Sequence, residues 1–263
     1  MTTRDTPWPD GTPCWTDLTV GDLDAARLFY ENLFGWTIEH GLAEFGGYAT
    51  CLKDGRPVCA IAPKMSSELP SVWTTYLASS DAVATAARIT AAGGRLTVEP
   101  MQVADFGTMA MAVDPSGASF GLWQADQTSG AQLVNEPGAV IWNEHLSPDW
   151  QASRAFYASA FGWTYHDVSA DGFNYASFQV DGRDVGGIGD LPADADQPVG
   201  HWSVYFAVEN TDEAVDQLVK LGGNVLKPPQ DTPYGRLATV SDPEGAVFAL
   251  MSELPGTNDD ATG

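Results

Sequence analysis

The stretch FYENLFGWT, residues 29–37, returns as FYASAFGWT at residues 156–164, 127 positions further along the chain. Over residues 18–37 and 145–164, nine of twenty aligned positions are identical, among them Asp22/Asp149, Tyr30/Tyr157, Gly35/Gly162 and Trp36/Trp163. The match runs on in both directions. Trp15 falls on Trp142 and Asp17 on Glu144; DGRPV falls on DGRDV, AAGG on KLGG, and DPSGASF (114–120) on DPEGAVF (242–248). Self-similarity of this extent marks a duplicated domain. Two copies are too few for a solenoid, so each copy is expected to hold its own core. The copies span residues 12–126 and 139–253. Between them lies the polar, Gly- and Pro-containing segment 127–138, read as a linker. A tail, 254–263, lacks apolar periodicity and is expected to fray.

Within each copy the pattern reads strand, helix, then strands, twice over. CWTDLTV is a strand, and Asp22 is a natural N-cap for the helix that follows. Ala26, Phe29 and Leu33 recur at helical spacing until Gly35 stops the run. YATCLKDGRPVCAIAP is a hairpin turning at Asp54-Gly55. WTTYLAS and DAVATAARITAAGG repeat the strand–helix order, and MAMAVDPSGASFGLWQ is a further hairpin. Each domain is thus a pair of βαβββ units, and the fold class is α+β. The aromatic motif forms the apolar face of the first helix and the start of the next strand, so it belongs mainly to the core.

Composition narrows the partners. The chain has 263 residues, 44% of them hydrophobic and 18% charged, as expected of a globular protein. Its net charge of −23 repels phosphate backbones and acidic lipid, so neither nucleic acid nor membrane is an expected partner. No apolar run is long enough to span a bilayer. No leader is visible at the start, and Cys14, Cys51 and Cys59 lack disulfide or zinc spacing, so a reducing cytoplasm is the expected compartment. A monomer with pseudo-twofold domains, or a weak homodimer, is the expected state.

The D-x-x-A-x-x-x-FY-x-x-x-FGW segments, the glycine pairs after each second helix, and DPSG/DPEG before each last strand resemble the vicinal oxygen chelate superfamily. This is the glyoxalase, bleomycin-resistance and extradiol-dioxygenase group. The tandem form is similar to actinobacterial secreted-antigen-like and hydroxylase-labelled proteins. The resemblance implies two tandem domains, each an open, cup-shaped mixed sheet flanked by helices. It also implies metal ligands: a His or Gln near the start of each unit's first strand and a Glu in its last. Those positions hold Trp15, Thr74 and Gly121 in one copy and Trp142, Ser203 and Ala249 in the other. Indole, hydroxyl and methyl groups are not the donors a divalent ion requires, so neither a metal nor any other cofactor is expected.

Strand parity gathers the polar groups that remain. The second cup collects Trp142, Glu144, His201, Ser203 and Tyr205; the first collects Trp15, Asp17, Thr74 and Tyr76, with Val72 in place of His201. Glu144 and His201 form a candidate acid–base pair. Tyr234 and Arg236 are candidates to close over a bound anionic group. His145 has the wrong parity for the cup and should face the helices. Two functions compete. One is the binding of a flat or cationic small molecule in an aromatic-lined, metal-free cup. The alternative is an enzyme, either a metal-independent isomerase, lyase or hydroxylase-like catalyst using Glu144 and His201, or a metal-dependent glyoxalase-type lyase. The second cup, richer in polar groups, is the expected functional one.

Overall fold

The computed structural model describes residues 2–41, 45–170, 172–191 and 199–254. A short β1 (Thr2–Thr3) precedes the first unit, made of β2 (Pro13–Val20), α1 (Leu23–Phe34), β3 (Thr37–Ile38), β4 (Ala49–Lys53) and β5 (Arg56–Pro63). The second unit comprises β6 (Val72–Ala78), α2 (Ala82–Ala91), β7 (Arg95–Val103), β8 (Gly107–Val113) and β9 (Ser119–Ala125). After β10 (Leu133–Val134) the pattern repeats. The third unit is β11 (Val140–Ser147), α3 (Trp150–Phe161), β12 (Thr164–Asp167), β13 (Tyr175–Val180) and β14 (Arg183–Asp190). The fourth is β15 (His201–Ala207), α4 (Thr211–Lys220), β16 (Asn224–Thr232), β17 (Gly235–Ser241) and β18 (Val247–Ser252).

Each half forms one open eight-stranded mixed sheet, ordered β3-β4-β5-β2-β6-β9-β8-β7 in the first and β12-β13-β14-β11-β15-β18-β17-β16 in the second. The chain is therefore two tandem α+β cups. Local chemistry sets the element ends. The Asp22 carboxylate caps α1 by accepting from the Ala25 N–H at 3.0 Å, and Asp149 does the same for α3 through Ala152. Gly35 and Gly162 close those helices in the left-handed region, at φ 67° and 75°, where a Cβ would be strained.

The cores are not where the duplication places them. The expectation that each copy holds its own core is overturned, because both cores are shared. One joins Phe29, Tyr30, Phe34, Trp36 and Trp73 of the first half to Val204, Phe206, Leu218, Phe248 and Leu250 of the second. The other joins Leu77, Ile89, Phe120 and Leu122 to Phe156, Tyr157, Trp163, Phe178 and Trp202. The first unit of each half packs against the second unit of the other. A two-layer sheet-and-helix unit this small leaves a wide apolar surface open, and the other half covers it.

The repeated motif carries polar anchors into these shared cores. The Tyr30 hydroxyl donates to the Asp242 carboxylate at 3.1 Å, and Tyr157 donates to Asp114 at 3.0 Å. The Trp36 indole donates to the Gly138 carbonyl at 2.6 Å, and Trp163 donates to the Gly11 carbonyl at 3.0 Å. The tyrosine bonds cross between halves, the tryptophan bonds reach the segments just before the opposite copies, and each pair is reciprocal. FYxxxFGW is written twice because each copy clasps the other. His145 faces the helix side, fully buried, with Nε2 2.7 Å from Asp114 Oδ2. Burial opposes ionisation of Asp114, but bonds from His145, Ser116 and the Ala118 N–H outweigh it and hold its pKa below the usual range.

The segment 127–138 is more than a tether. Its Leu133 and Ala131 are buried, β10 pairs antiparallel with β1, and Ala131 accepts from the Trp8 indole. The expected fraying of the tail concerns residues that, after Leu254, lie outside the described ones.

Candidate functional site

Register places most of the candidate residues on the open face of each cup. In the second, the cross-strand row runs Trp142, Tyr205, Ala249, Thr239 and Lys227. Beside it lies the row Gly187, Glu144 and Ser203. In the first, the matching rows are Trp15, Tyr76, Gly121, Met111 and Val98, and then Ala60, Asp17 and Thr74. Strand periodicity thus brings Trp, carboxylate, Ser or Thr, and Tyr together in both cups.

The centre of each cup is a hydrogen-bonded tetrad. In the first, Tyr76 donates to Asp17 at 2.8 Å, Tyr48 donates to the same oxygen at 3.3 Å, and the Trp15 indole donates to Tyr48 at 2.7 Å. In the second, Tyr205 donates to Glu144 at 2.6 Å and the Trp142 indole donates to Tyr175 at 3.1 Å. The Tyr175 hydroxyl also lies beside Glu144. Tyr48 and Tyr175 are the functional candidates missed above. They stand at the same 127-residue offset as Trp15 and Trp142, a signal present in the repeat. Gly187, the strand neighbour of Glu144, leaves room for the Tyr175–Trp142 pair: a Cβ there would lie 1.8 Å from the Tyr175 hydroxyl and 2.9 Å from the Trp142 indole nitrogen.

Burial shapes the electrostatics. Asp17, 6% exposed, is lifted to about 6 by desolvation, against the stabilising bonds from Tyr76 and Tyr48. Glu144 is raised for the same reason, against its bonds from Tyr205 and Tyr175 and the field of Lys227. All four tyrosines are pushed up by burial and then by the adjacent carboxylate, so they remain protonated donors.

Three candidates are placed differently from expectation. His201 shares the face of Glu144 but pairs with Leu146 at the strand end and is exposed; the hydrogen bond Glu144 makes is to Tyr205, so the Glu144–His201 pair is not formed. Desolvation lowers the pKa of His201. Arg236 faces away from the cup. It shares parity with the buried Ala238 and Val240, and its guanidinium is bound by Asp212 at the start of α4 and by Asp231. It therefore cannot close over a cup ligand. Tyr234 is 68% exposed on the turn between β16 and β17, near enough to Tyr175 to raise its pKa.

The first cup is narrowed further. Trp8, Trp15, Met111 and Trp123 pack on Cys14, Tyr76 and Ala78. In the second, Thr239 and Met251 stand in the places of Met111 and Trp123.

A family model described as Glyoxalase/Bleomycin resistance protein/Dioxygenase superfamily matches residues 14–122 and 145–250, and the chain belongs to that family. "Putative glyoxylase CFP32" of Mycobacterium tuberculosis is 37% identical over 252 residues, covering 93% of this chain and 96% of that protein. "Anthracycline biosynthesis protein DnrV" of Streptomyces peucetius is 35% identical over 271 residues, covering 94% of each. Among solved structures, the Mn(II)-bound glyoxalase of Novosphingobium aromaticivorans superposes with a TM-score of 0.67 at 19% identity, covering 94% of this chain and 84% of that one. The 2,2',3-trihydroxybiphenyl 1,2-dioxygenase of Sphingomonas wittichii superposes with 0.64 at 14% identity, covering 92% and 90%. At these identities the structural likeness speaks for the fold.

The divalent metal that the family implies does not fit these residues. Each cup centre offers one carboxylate, already hydrogen-bonded by tyrosine hydroxyls. Among the described residues no group of three or more His, Cys, Asp or Glu side chains is placed to hold an ion.

Proposed function

We propose that the protein binds a flat or cationic small organic molecule in an aromatic-lined cup, without a metal, and that the second cup is the one used. The observation that carries this reading is the Trp142–Tyr175–Glu144–Tyr205 tetrad, which presents aromatic walls and a polar floor on an open face. Aromatic surface suits a flat guest, and the acidic surface draws a cationic one. Two relatives are named for anthracycline biosynthesis, and an anthracycline is a flat aromatic polycycle, which agrees with such a guest. The test is titration of the protein with neutral anthraquinone, read by quenching of tryptophan fluorescence and by thermal shift. Binding is expected, weakened about tenfold by Trp142→Ala or Tyr205→Ala, which is the loss of one stacking contact. Equal binding by wild type and both variants would refute the reading.

A second reading is favoured by the 2.6 Å Tyr205–Glu144 bond and the raised pKa of Glu144. Burial makes this carboxyl a better proton acceptor than a solvated one, so the same cup could catalyse a metal-free isomerisation or elimination, with Tyr205 rather than His201 as the partner of Glu144. Turnover lost in Glu144→Gln with binding retained would support it.

A further inference from the structure

We propose that the second cup, read above as the ligand cup, selects flat aromatics that carry an acidic oxygen, a carboxylate, phenolate or enolate, with Lys227 as the counter-ion. The basis is the row across the open face. Trp142, Tyr205, Ala249 and Thr239 lead outward to Lys227 on β16. The equivalent row of the first cup ends in Met111 and Val98 and carries no charge. Of twelve basic residues in the chain, Lys227 is thus one placed by register on the face of a cup. It is exposed and makes no hydrogen bond or ion pair with another described residue, so its ammonium is available. Its field reaches Glu144, which places it within electrostatic range of the tetrad.

The net charge of −23 opposes an anionic guest only at long range, because screening at about 0.1 M salt cuts such fields off beyond ~10 Å. Inside the cup the near charge decides. Glu144 does not repel the guest as a free carboxylate would, since Tyr205 donates to it and burial favours its neutral form. A ligand lying over Trp142 and Tyr205 with its acidic oxygen toward β16 would meet Thr239 and then Lys227. This keeps the flat guest for the second cup and replaces the cationic one.

The test uses three probes of one shape on the full chain: anthraquinone carboxylate, its primary amide and its aminomethyl analogue. The carboxylate is expected to bind about tenfold tighter than the amide at about 0.1 M salt, where the long-range field is screened, and the advantage to shrink as salt rises toward about 1 M. Lys227→Gln should abolish that advantage while leaving the amide's affinity unchanged, and Lys227→Arg should keep it. Equal binding of carboxylate and amide, tightest binding of the amine, or a carboxylate preference that survives Lys227→Gln would overturn the proposal while the aromatic-cup reading stands. Failure of all three probes to bind would overturn both.

Discussion

Replacing Phe206 by Ala would test the shared cores most directly. Phe206 is fully buried on β15 of the second half, yet its ring neighbours include Phe34 at 5.0 Å, Trp36 at 5.6 Å and Trp73 at 5.0 Å, all in the first half. A Phe-to-Ala truncation in a packed core costs about 3–5 kcal/mol, and the aromatic pairing lost here places this site toward the upper end. For a chain of this size a kcal/mol moves the melting temperature by roughly 2–4 °C, so a fall of about 10 °C is expected. The assay is calorimetry alongside tryptophan fluorescence and far-ultraviolet circular dichroism. Because each core is built from both halves, the expected result is a single transition in wild type and variant, with all probes shifted together. Two transitions, one at the wild-type temperature and one lowered, would refute shared cores, since the second half would then have melted without the first.

Three further outcomes follow from the site and the clasp. Asp17 has a folded pKa of about 6 against an ordinary 3.8, so the folded state holds its proton more tightly; its contribution to stability is fullest below pH 4 and falls by on the order of 3 kcal/mol as pH rises to 6. Asp17→Asn should remove that slope in urea titrations, and an unchanged slope would count against a buried, desolvated Asp17. Trp36→Phe or Trp163→Phe, each deleting one buried indole-to-carbonyl bond to the segment before the opposite copy, should cost about 1–2 kcal/mol by denaturant midpoint. Exhaustive chelation should leave the melting temperature unchanged, since a metal bound to the native state would have raised it by mass action.

Much of the cup was legible because a strand's side chains alternate strictly. Trp15, Asp17, Thr74 and Tyr76 were assigned one face from their spacing, and the register agrees. The same rule could have corrected Arg236, since Ala238 and Val240 two and four residues on are apolar and mark the helix side. Glu144 and His201 have matching parity, but parity says nothing of offset along the strands, and Tyr205 stands nearer. Tyr48 and Tyr175 escaped because they sit at the entrance to β4 and β13, where no period fixes direction; only the repeat offset could have exposed them. A pseudo-twofold arrangement of the halves was expected, but not that it would merge their cores. An apolar helix face announces that it will be covered, not which copy will cover it.

That cross-packing has a consequence during synthesis. When residue 126 has been joined, the first half exists with Phe34, Trp36 and Trp73 uncovered, since Phe206 and Phe248 have not yet been made. At ribosomal rates of about 5–20 residues per second, the 127-residue interval to the matching point of the second copy takes roughly 6–25 s. For that interval the nascent chain offers an aromatic surface shaped to receive a second half. In a polysome the nearest such second half belongs to the neighbouring chain. The order of translation therefore sets a race between closure within one chain and exchange of halves between two.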